Sequence, residues 1–309
     1  MNHNIDRSRS LLEAARAAAG TQQYPRGALY VVATPIGNLA DLSLRAIHVL
    51  ELVDAVACED TRTTATLMSH LGLHKPLMAA HEHNEREAAQ GVIGRLERDE
   101  RVALVSDAGT PAICDPGARL VAAVTDAGLR VVAVPGPSAV VAACSVAGAV
   151  AGDGGFRFAG FLPAKGAARR AHLAGLLREP HALVLYESPH RIADLADELA
   201  AAAPTRRVTV ARELTKQFET IATMPASALP AWLGADAQQR RGEFVVVLHP
   251  LQAAAAHAQA LSADAQRLLE VLLRELPLKQ AVALAAEASG APRNALYDAA
   301  LVWRDSRSA

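Results

Sequence analysis

Apolar and polar residues alternate along this chain in two rhythms. Short apolar runs rich in valine, such as 102–105 (VALV) and 131–134 (VVAV), give way to longer stretches with helical spacing. From 28 to about 147 this pattern predicts strands at 29–34, 54–58, 77–81, 102–106 and 131–134. Helices are expected between and after them, at 43–52, 61–71, 85–98, 117–127 and 138–147. Strand and helix in turn, with short connections, predict a mainly parallel sheet covered by helices. A second α/β unit follows, with strands near 156–161, 182–186, 207–213, 218–223 and 243–248 and helices near 166–178, 189–202 and 225–234. Too few residues separate 207–213 from 218–223 for a crossover helix, so this pair is expected to be antiparallel and the second sheet mixed.

Between the two units, GAVAGDGG at 148–155 has no periodicity and reads as a hinge. Beyond Pro250, three helical runs at 264–275, 278–289 and 292–304 form a small appended module. Ser262 and Asp264 offer an N-cap, Pro277 and Pro292 sit at helix starts, and Gly290 ends the middle helix. The first residues carry no apolar signal core and read as a flexible extension with a short Ala-rich helix at 10–19. The expected division is therefore an extension at 1–27, an N-terminal α/β domain at 28–150, a second α/β domain at 151–252 and a helical module at 253–309.

Composition narrows this picture. Apolar residues make up 51% and aromatics 4%, so the cores must be built from Ala, Val and Leu, which suits helices packed on parallel strands. With a formal charge of −1, any nucleic-acid contact must come from a local basic face. Cys58, Cys114 and Cys144 fit no metal-ligand spacing, and an odd count without a secretory signal points to a reducing, cytoplasmic setting. No apolar run is long enough to suggest a membrane partner.

Three strands end in small-residue, proline-punctuated loops: Thr34-Pro35-Ile36-Gly37-Asn38, Ser106-Asp107-Ala108-Gly109-Thr110-Pro111 and Pro135-Gly136-Pro137-Ser138-Ala139. Any one of them could simply turn the chain; three at the carboxyl edge of one sheet describe a ligand site. Neither a G-x-G-x-x-G fingerprint nor a P-loop is present, which counts against a nucleotide-dependent oxidoreductase. His81-Glu82-His83-Asn84 could supply two metal ligands at most; a helix start with Asn84 as cap and Glu85 and Glu87 in the first turn is the simpler reading, and no metal is expected. Glu59 and Asp60, after the second strand, could orient or deprotonate a hydroxyl. Alternatively Asp60 caps the next helix and Glu59 pairs with Arg62. Residues 156–180 carry Arg157, Lys165, Arg169, Arg170 and Arg178 against Glu179 alone, a local charge of +4 that suits phosphates or a solvated helix face.

Taken together, TPIGNLADLSLRA (34–46), CEDTR (58–62), HEHNE (81–85), VSDAGTPAICDPG (105–117), PGPSA (135–139), GFLPAKG (160–166), YESPHR (186–191) and ARELTKQFETI (211–221) closely resemble one family. It is that of ribosomal RNA small subunit methyltransferase I, the 16S rRNA 2′-O-ribose cytidine methyltransferases of the tetrapyrrole methylase superfamily. The resemblance implies two α/β domains of tetrapyrrole-methylase type with S-adenosyl-L-methionine in the cleft between them. It implies 2′-O-methylation of a decoding-centre cytidine (cytidine 1402) of 16S rRNA in the small ribosomal subunit, by a homodimer. Carried over by motif, cofactor contacts fall on Pro35, Ile36 and Gly37, on Ser106, Asp107, Ala108 and Gly109, and on Ser138, Ala139, Tyr186, Ala211 and Leu214. RNA contacts fall on Lys165, Arg169, Arg170 and Arg191.

A ribose hydroxyl is a poor nucleophile, so a base within hydrogen-bond reach is expected; Glu59, Asp60, Glu213 and Lys216 are unranked candidates. Two rival functions remain. A small-molecule methylase acting on a tetrapyrrole would need neither the basic segment nor the helical module. A non-catalytic ribosome-binding protein would not need the intact Asp107-Ala108-Gly109 loop.

Overall fold

The computed structural model describes residues 2–81, 84–149, 155–251, 261 and 263–307. The first group of apolar runs becomes a five-stranded sheet of β1 (Ala28–Val32), β2 (Ala55–Cys58), β3 (Leu77–Ala79), β4 (Arg101–Val105) and β5 (Arg130–Val134), in the order β3-β2-β4-β1-β5. Every pair in it is parallel, as the strand–helix alternation requires. The connecting helices are α2 (Leu44–Leu52), α3 (Thr61–His70), α4 (Glu85–Glu97) and α5 (Ala118–Asp126), and α6 (Ala139–Ala147) follows β5.

Both faces of this sheet are covered, which is why its strands are apolar without alternation. Tyr30, Val32, Val56, Cys58, Ala103 and Val105 pack on one side with Ile47 and Leu50 of α2 and Met68 of α3. Leu29, Ala57, Val102 and Leu104 pack on the other with Val92 and Leu96 of α4 and Leu120 and Val124 of α5. The register sets Cys58 opposite Val105 and Val31 opposite both Leu104 and Ala133. The carboxyl ends of β1, β2, β4 and β5 therefore lie level, and the loops leaving them start from one edge.

The helix expected at 10–19 is longer and is not a loose extension: α1 spans Asn2–Ala19. Ala15 is fully buried in the first core, Arg16 pairs with Glu51 of α2, and the Ser8 hydroxyl donates to the His70 carbonyl at 3.0 Å. Its apolar face of small residues gave too weak a periodic signal to announce this docking.

The second sheet contains β6 (Phe156–Phe161), β7 (Ala182–Glu187), β8 (Arg207–Arg212), β9 (Thr220–Pro225) and β10 (Phe244–Leu248), in the order β6-β7-β10-β8-β9. β8 and β9 are antiparallel, as their short separation demands. Helices α7 (Gly166–Leu176), α8 (Ile192–Ala202) and α9 (Leu229–Ala235) complete this half. At the end of the chain, α10 (Ala263–Glu275), α11 (Leu278–Ser289) and α12 (Arg293–Arg307) surround a small core of Leu269, Val282, Ala285, Leu296 and Ala300. Pro277 precedes α11, and left-handed Gly290 (φ 67°) ends it.

By contact the chain groups into two compact units. One holds Met1–Gly148, Phe158–Leu162 and Val184–Val247, the other Ala149–Arg157, Pro163–Leu183 and Leu248–Ala309. Most of the expected hinge (150–154) and the Ser262 cap lie outside the described residues. Among the described residues no helix is long and apolar enough to cross a membrane.

Candidate functional site

The level strand ends of the first unit are knitted together by their own loops. Thr34 and Gly109 exchange backbone hydrogen bonds, 2.8 Å from the Thr34 N–H and 3.0 Å from that of Gly109, and the Thr34 hydroxyl donates to the Ser106 carbonyl at 3.1 Å. Gly109 takes φ +85°, where a side chain would be strained and a Cβ would lie 3.4 Å from Ile36. Thr110 Oγ1 donates to the Pro137 carbonyl at 3.0 Å and fastens the third loop. The loop after β2 joins through Asp107: Asp60 N–H donates to its carboxylate at 3.2 Å, and its own N–H donates to Glu59 at 3.4 Å.

Downstream, Glu85 is 93% hidden from solvent and accepts the Gly117 N–H at 2.6 Å, so the first turn of α4 holds the far end of the 106–117 loop. The β8–β9 turn approaches from another side. Glu213 and Thr215 adopt φ +52° and +66°, rare for residues with side chains, on either side of Leu214. Lys216 Nζ sits 2.9 Å from both Glu213 Oε1 and Glu243 Oε2, and its stem lies where a Cβ on Gly37 would be, 2.4 Å from Lys216 Cγ.

These loops enclose a cavity of ≈ 350 Å³ within the first unit. Ile36, Ala108, Gly109, Ser138, Ala139, Tyr186 and Leu214 line it together, so seven of the twelve expected cofactor residues share one hollow. Pro35, Ser106 and Asp107 instead line a second cavity of ≈ 440 Å³. Gly37 packs on Lys216, and Ala211 is wholly buried within β8. The sequence reading missed Ile113 to Asp115, Phe161, Glu187 and Glu243 to Val245 in the lining. The first five stand in motifs already quoted; Glu243 to Val245 open β10 with no Gly or Pro to mark them. Tyr186 stacks edge-on against Phe158 and Phe161, 4.9 and 5.6 Å between ring centres, and burial pushes its hydroxyl up to about 12.

The base candidates separate by environment. Burial raises Glu59 above the usual carboxylate range, against the Asp107 N–H, and Asp115 and Asp107 add to the rise. Asp60 goes the other way, to about 2, because Arg62 bonds its carboxylate and donates its backbone N–H to it. The expected Glu59–Arg62 pair is replaced: Arg62 pairs with Asp60 at 2.6 Å, and Asp60 caps α3 as foreseen. Burial favours the neutral form of Glu213, but the Glu243 N–H and Lys216 outweigh it and lower its pKa. Burial likewise works against the charge of Lys216, yet Glu213 and Glu243 raise its pKa overall.

The basic segment is less uniform than its sequence. Arg169 is 96% hidden and donates toward the Pro163 carbonyl at 3.4 Å, and Arg157 pairs with Glu179. Arg191 donates to the Leu162 carbonyl at 2.7 Å and lies 3.2 Å from the buried Glu187 carboxylate. Arg169 and Arg191 are thus built into the fold, whereas Lys165, Arg170 and Arg178 are exposed. Around the HEHNE motif, Asn84 accepts the His81 N–H at 2.8 Å and donates to the Ala79 carbonyl at 3.0 Å rather than capping α4; Glu82 and His83 lie outside the described residues.

Comparison with known proteins agrees with this architecture. Residues 28–230 match the model for Tetrapyrrole (Corrin/Porphyrin) Methylases, and residues 259–304 match that for the RsmI C-terminal HTH domain. Ribosomal RNA small subunit methyltransferase I of Pseudomonas aeruginosa is 50% identical over 276 residues, covering 89% of this chain and 97% of that protein. The solved structure of cobalt precorrin-4 methyltransferase shares the fold, with a TM-score of 0.55 at 18% identity over 74% of this chain and 98% of its own. So does uroporphyrin-III C-methyltransferase of Thermus thermophilus complexed with S-adenosyl homocysteine, with a TM-score of 0.50 at 18% identity over 72% of this chain and 96% of its own. With its methylase model matched over most of its length, the chain belongs to the tetrapyrrole methylase family.

Proposed function

We propose that this protein transfers a methyl group from S-adenosylmethionine to the ribose 2′-oxygen of a cytidine in 16S rRNA, cytidine 1402 of the decoding centre. The observation that carries the reading is the ≈ 350 Å³ cavity formed by strand-end loops, in a chain half identical to a small-subunit RNA methyltransferase along nearly all of both lengths. The cavity fits the cofactor: its volume falls in the range of small-ligand sites, its walls are largely apolar, and Asp115 brings an acidic residue to a lining that would receive a cation.

When bound, S-adenosylmethionine supplies an electrophilic methyl group on a positively charged sulfur, which keeps the carbon–sulfur electron pair on transfer. The chain's residues do the rest. The Thr34–Gly109 bridge fixes two loops against each other, so donor and acceptor can be held in line without reorganisation. Glu59, raised by burial and fixed by the Asp107 N–H, takes the hydroxyl proton as the oxygen attacks. Asp60 is too acidic for that task, and Glu213 with Lys216 hold the β8–β9 turn and Leu214 in place. Lys165 and Arg170 contact RNA phosphates. Domains at 28–150 and 151–252, a helical module at 253–309, a homodimeric state and a cytoplasmic location belong to the same reading.

The test uses small subunits from cells lacking the modification, incubated with the purified protein and methyl-labelled S-adenosylmethionine. Label on a cytidine ribose 2′-oxygen supports the reading; label absent from RNA, or present only on a base, overturns it.

A further inference from the structure

Asp115, Glu187 and Glu243 all line the ≈ 350 Å³ cavity, and two of them are already engaged. The Glu187 side chain is wholly hidden, lies 3.2 Å from Arg191 and accepts the Ser188 N–H at 3.0 Å. Glu243 accepts from Lys216 Nζ at 2.9 Å and is 79% exposed. Asp115 differs. It is half-buried, and no Lys, Arg or His among the described residues pairs with it. We infer that Asp115 is the counter-charge for the sulfonium of bound S-adenosylmethionine and lets the site tell this donor from its neutral thioether product. The inference rests on the methyl-transfer reading and assigns one residue of that cavity to one charge on the donor.

A helix cap is the structural role open to an aspartate at this position, and the structure excludes it. Helix α5 starts from Gly117 with no side-chain cap, and the Gly117 N–H goes to Glu85 at 2.6 Å instead. The backbone on both sides of Asp115 is held. Glu85 fixes the following residues through Gly117, and Cys114 Sγ packs 3.3 Å from where a Cβ on Gly160 of β6 would stand. The carboxyl group therefore keeps a fixed place in the lining. Its charge is opposed there by burial and by Asp107, and favoured only by the Ser106 hydroxyl. A cation arriving in the cavity supplies the partner that the chain does not.

S-adenosylmethionine carries two cationic groups, the sulfonium at its reacting centre and an ammonium at the end of its amino-acid tail. Position selects the first. Among the carboxylates near Glu59, Asp115 acts on it most strongly, ahead of Asp107 and Asp60. Asp115 thus stands close to the group that receives the hydroxyl proton, at the reacting end of the cavity. Methyl transfer leaves a neutral thioether, with the former carbon–sulfur electron pair on sulfur and the hydroxyl proton on Glu59. Asp115 then faces no positive charge, and the product is held less tightly than the donor was. Because the sulfonium charge is already dispersing in the transition state, the pairing favours the bound donor at least as much. Asp115 therefore acts on donor binding and product exchange, not on the rate of transfer.

The experiment compares wild type and Asp115→Asn as full chains, by calorimetry with S-adenosylmethionine and with S-adenosylhomocysteine. Asparagine matches aspartate in size and keeps an oxygen for Ser106. Taking the ratio of the two Kd values within each protein cancels any general loosening of the cavity. The ratio of donor Kd to product Kd should rise about tenfold in the variant, as loss of a unit charge beside the sulfonium requires. KM for the donor should rise in step, with kcat on small subunits lacking the modification within about twofold of wild type. An unchanged ratio overturns the assignment: equal losses for both ligands place Asp115 at the tail ammonium, and no loss for either makes it a wall residue only. Intact donor binding with kcat lowered about a hundredfold also overturns it, because Asp115 would then be a proton acceptor. Wild type that binds neither ligand overturns the methyl-transfer reading itself.

Discussion

Glu85→Ala tests how the cavity-lining loop is held. Glu85 opens α4, is almost fully hidden, and accepts the N–H of Gly117, which is itself buried and starts α5 with no side-chain cap of its own. Removing the carboxylate strands that N–H. A hydrogen bond to a charged acceptor contributes about 1.5–3 kcal/mol, and a donor left buried without a partner costs on that order. Arg119 lies 3.8 Å from the other carboxylate oxygen but is 78% exposed, so its loss adds little. The expected cost is therefore about 2 kcal/mol, which at about 2–4 °C per kcal/mol lowers Tm by about 4–8 °C. Glu85→Gln keeps an oxygen acceptor and should lose about half as much. Because the 106–117 loop forms one side of the ≈ 350 Å³ cavity, Kd for S-adenosylmethionine should rise with the loss. Thermal melts of the three proteins, with calorimetry on each, make the measurement. An alanine variant melting with wild type would show that Gly117 finds another acceptor and that Glu85 is not the clasp.

Other expectations follow from the same geometry. The working form of Glu59 is the carboxylate, present above its pKa and lost below it; since burial raises that pKa, the acid limb of the kcat profile should lie above the ordinary glutamate range. Glu59→Gln should remove this limb and lower kcat about a hundredfold. Lys165→Glu with Arg170→Glu should weaken RNA binding and flatten its dependence on log salt by about 1 per lost phosphate contact, whereas Arg169→Glu, a buried charge reversal, should show first as a lowered Tm. Gly37→Ala should displace the Lys216 stem, raise cofactor Kd and lower Tm, because Gly37 holds φ +157°, where a side chain is strained, and its Cβ would stand 2.4 Å from Lys216 Cγ.

The fold was legible because most strands are short apolar runs, several of them closed by a Gly or Pro breaker. The antiparallel β8–β9 pair followed from spacing alone, and the ends of α11 from Pro277 and Gly290. Strand order was not legible, since the central place of β4 depends on which helix crosses which face. At the site, Gly/Pro loops marked Ile36, Ala108, Gly109, Ser138 and Ala139, but nothing local marked Glu243 to Val245, which reach the cavity because β10 lies beside β7 and β8. Charge was read least well. Arg169 and Arg170 are neighbours in sequence, yet helical geometry buries one and exposes the other. Glu59 and Asp60 are likewise adjacent, and the structure drives their acidities apart.

The clustering of acids raises an electrostatic question for an enzyme acting on RNA. Glu59, Asp60, Asp107 and Asp115 stand around the β2 and β4 loops, and each would repel a phosphate brought close. A sulfonium in the ≈ 350 Å³ cavity offsets one of these charges, and it does so only before the methyl group leaves, because the thioether product is neutral. For a phosphate about 10 Å away, one unit charge amounts to about 0.4 kcal/mol at a water-like dielectric and about 1.7 kcal/mol at the value typical near protein surfaces. RNA should therefore bind about twofold to fifteenfold more tightly with a non-reactive, positively charged cofactor analogue than with S-adenosylhomocysteine, and the gap should close as salt is raised. Calorimetric titration of small-subunit RNA into both complexes at low and high salt measures it. Equal affinities at low salt would mean that the carboxylates are screened from the RNA backbone and that discharge of the cofactor plays no part in releasing the product.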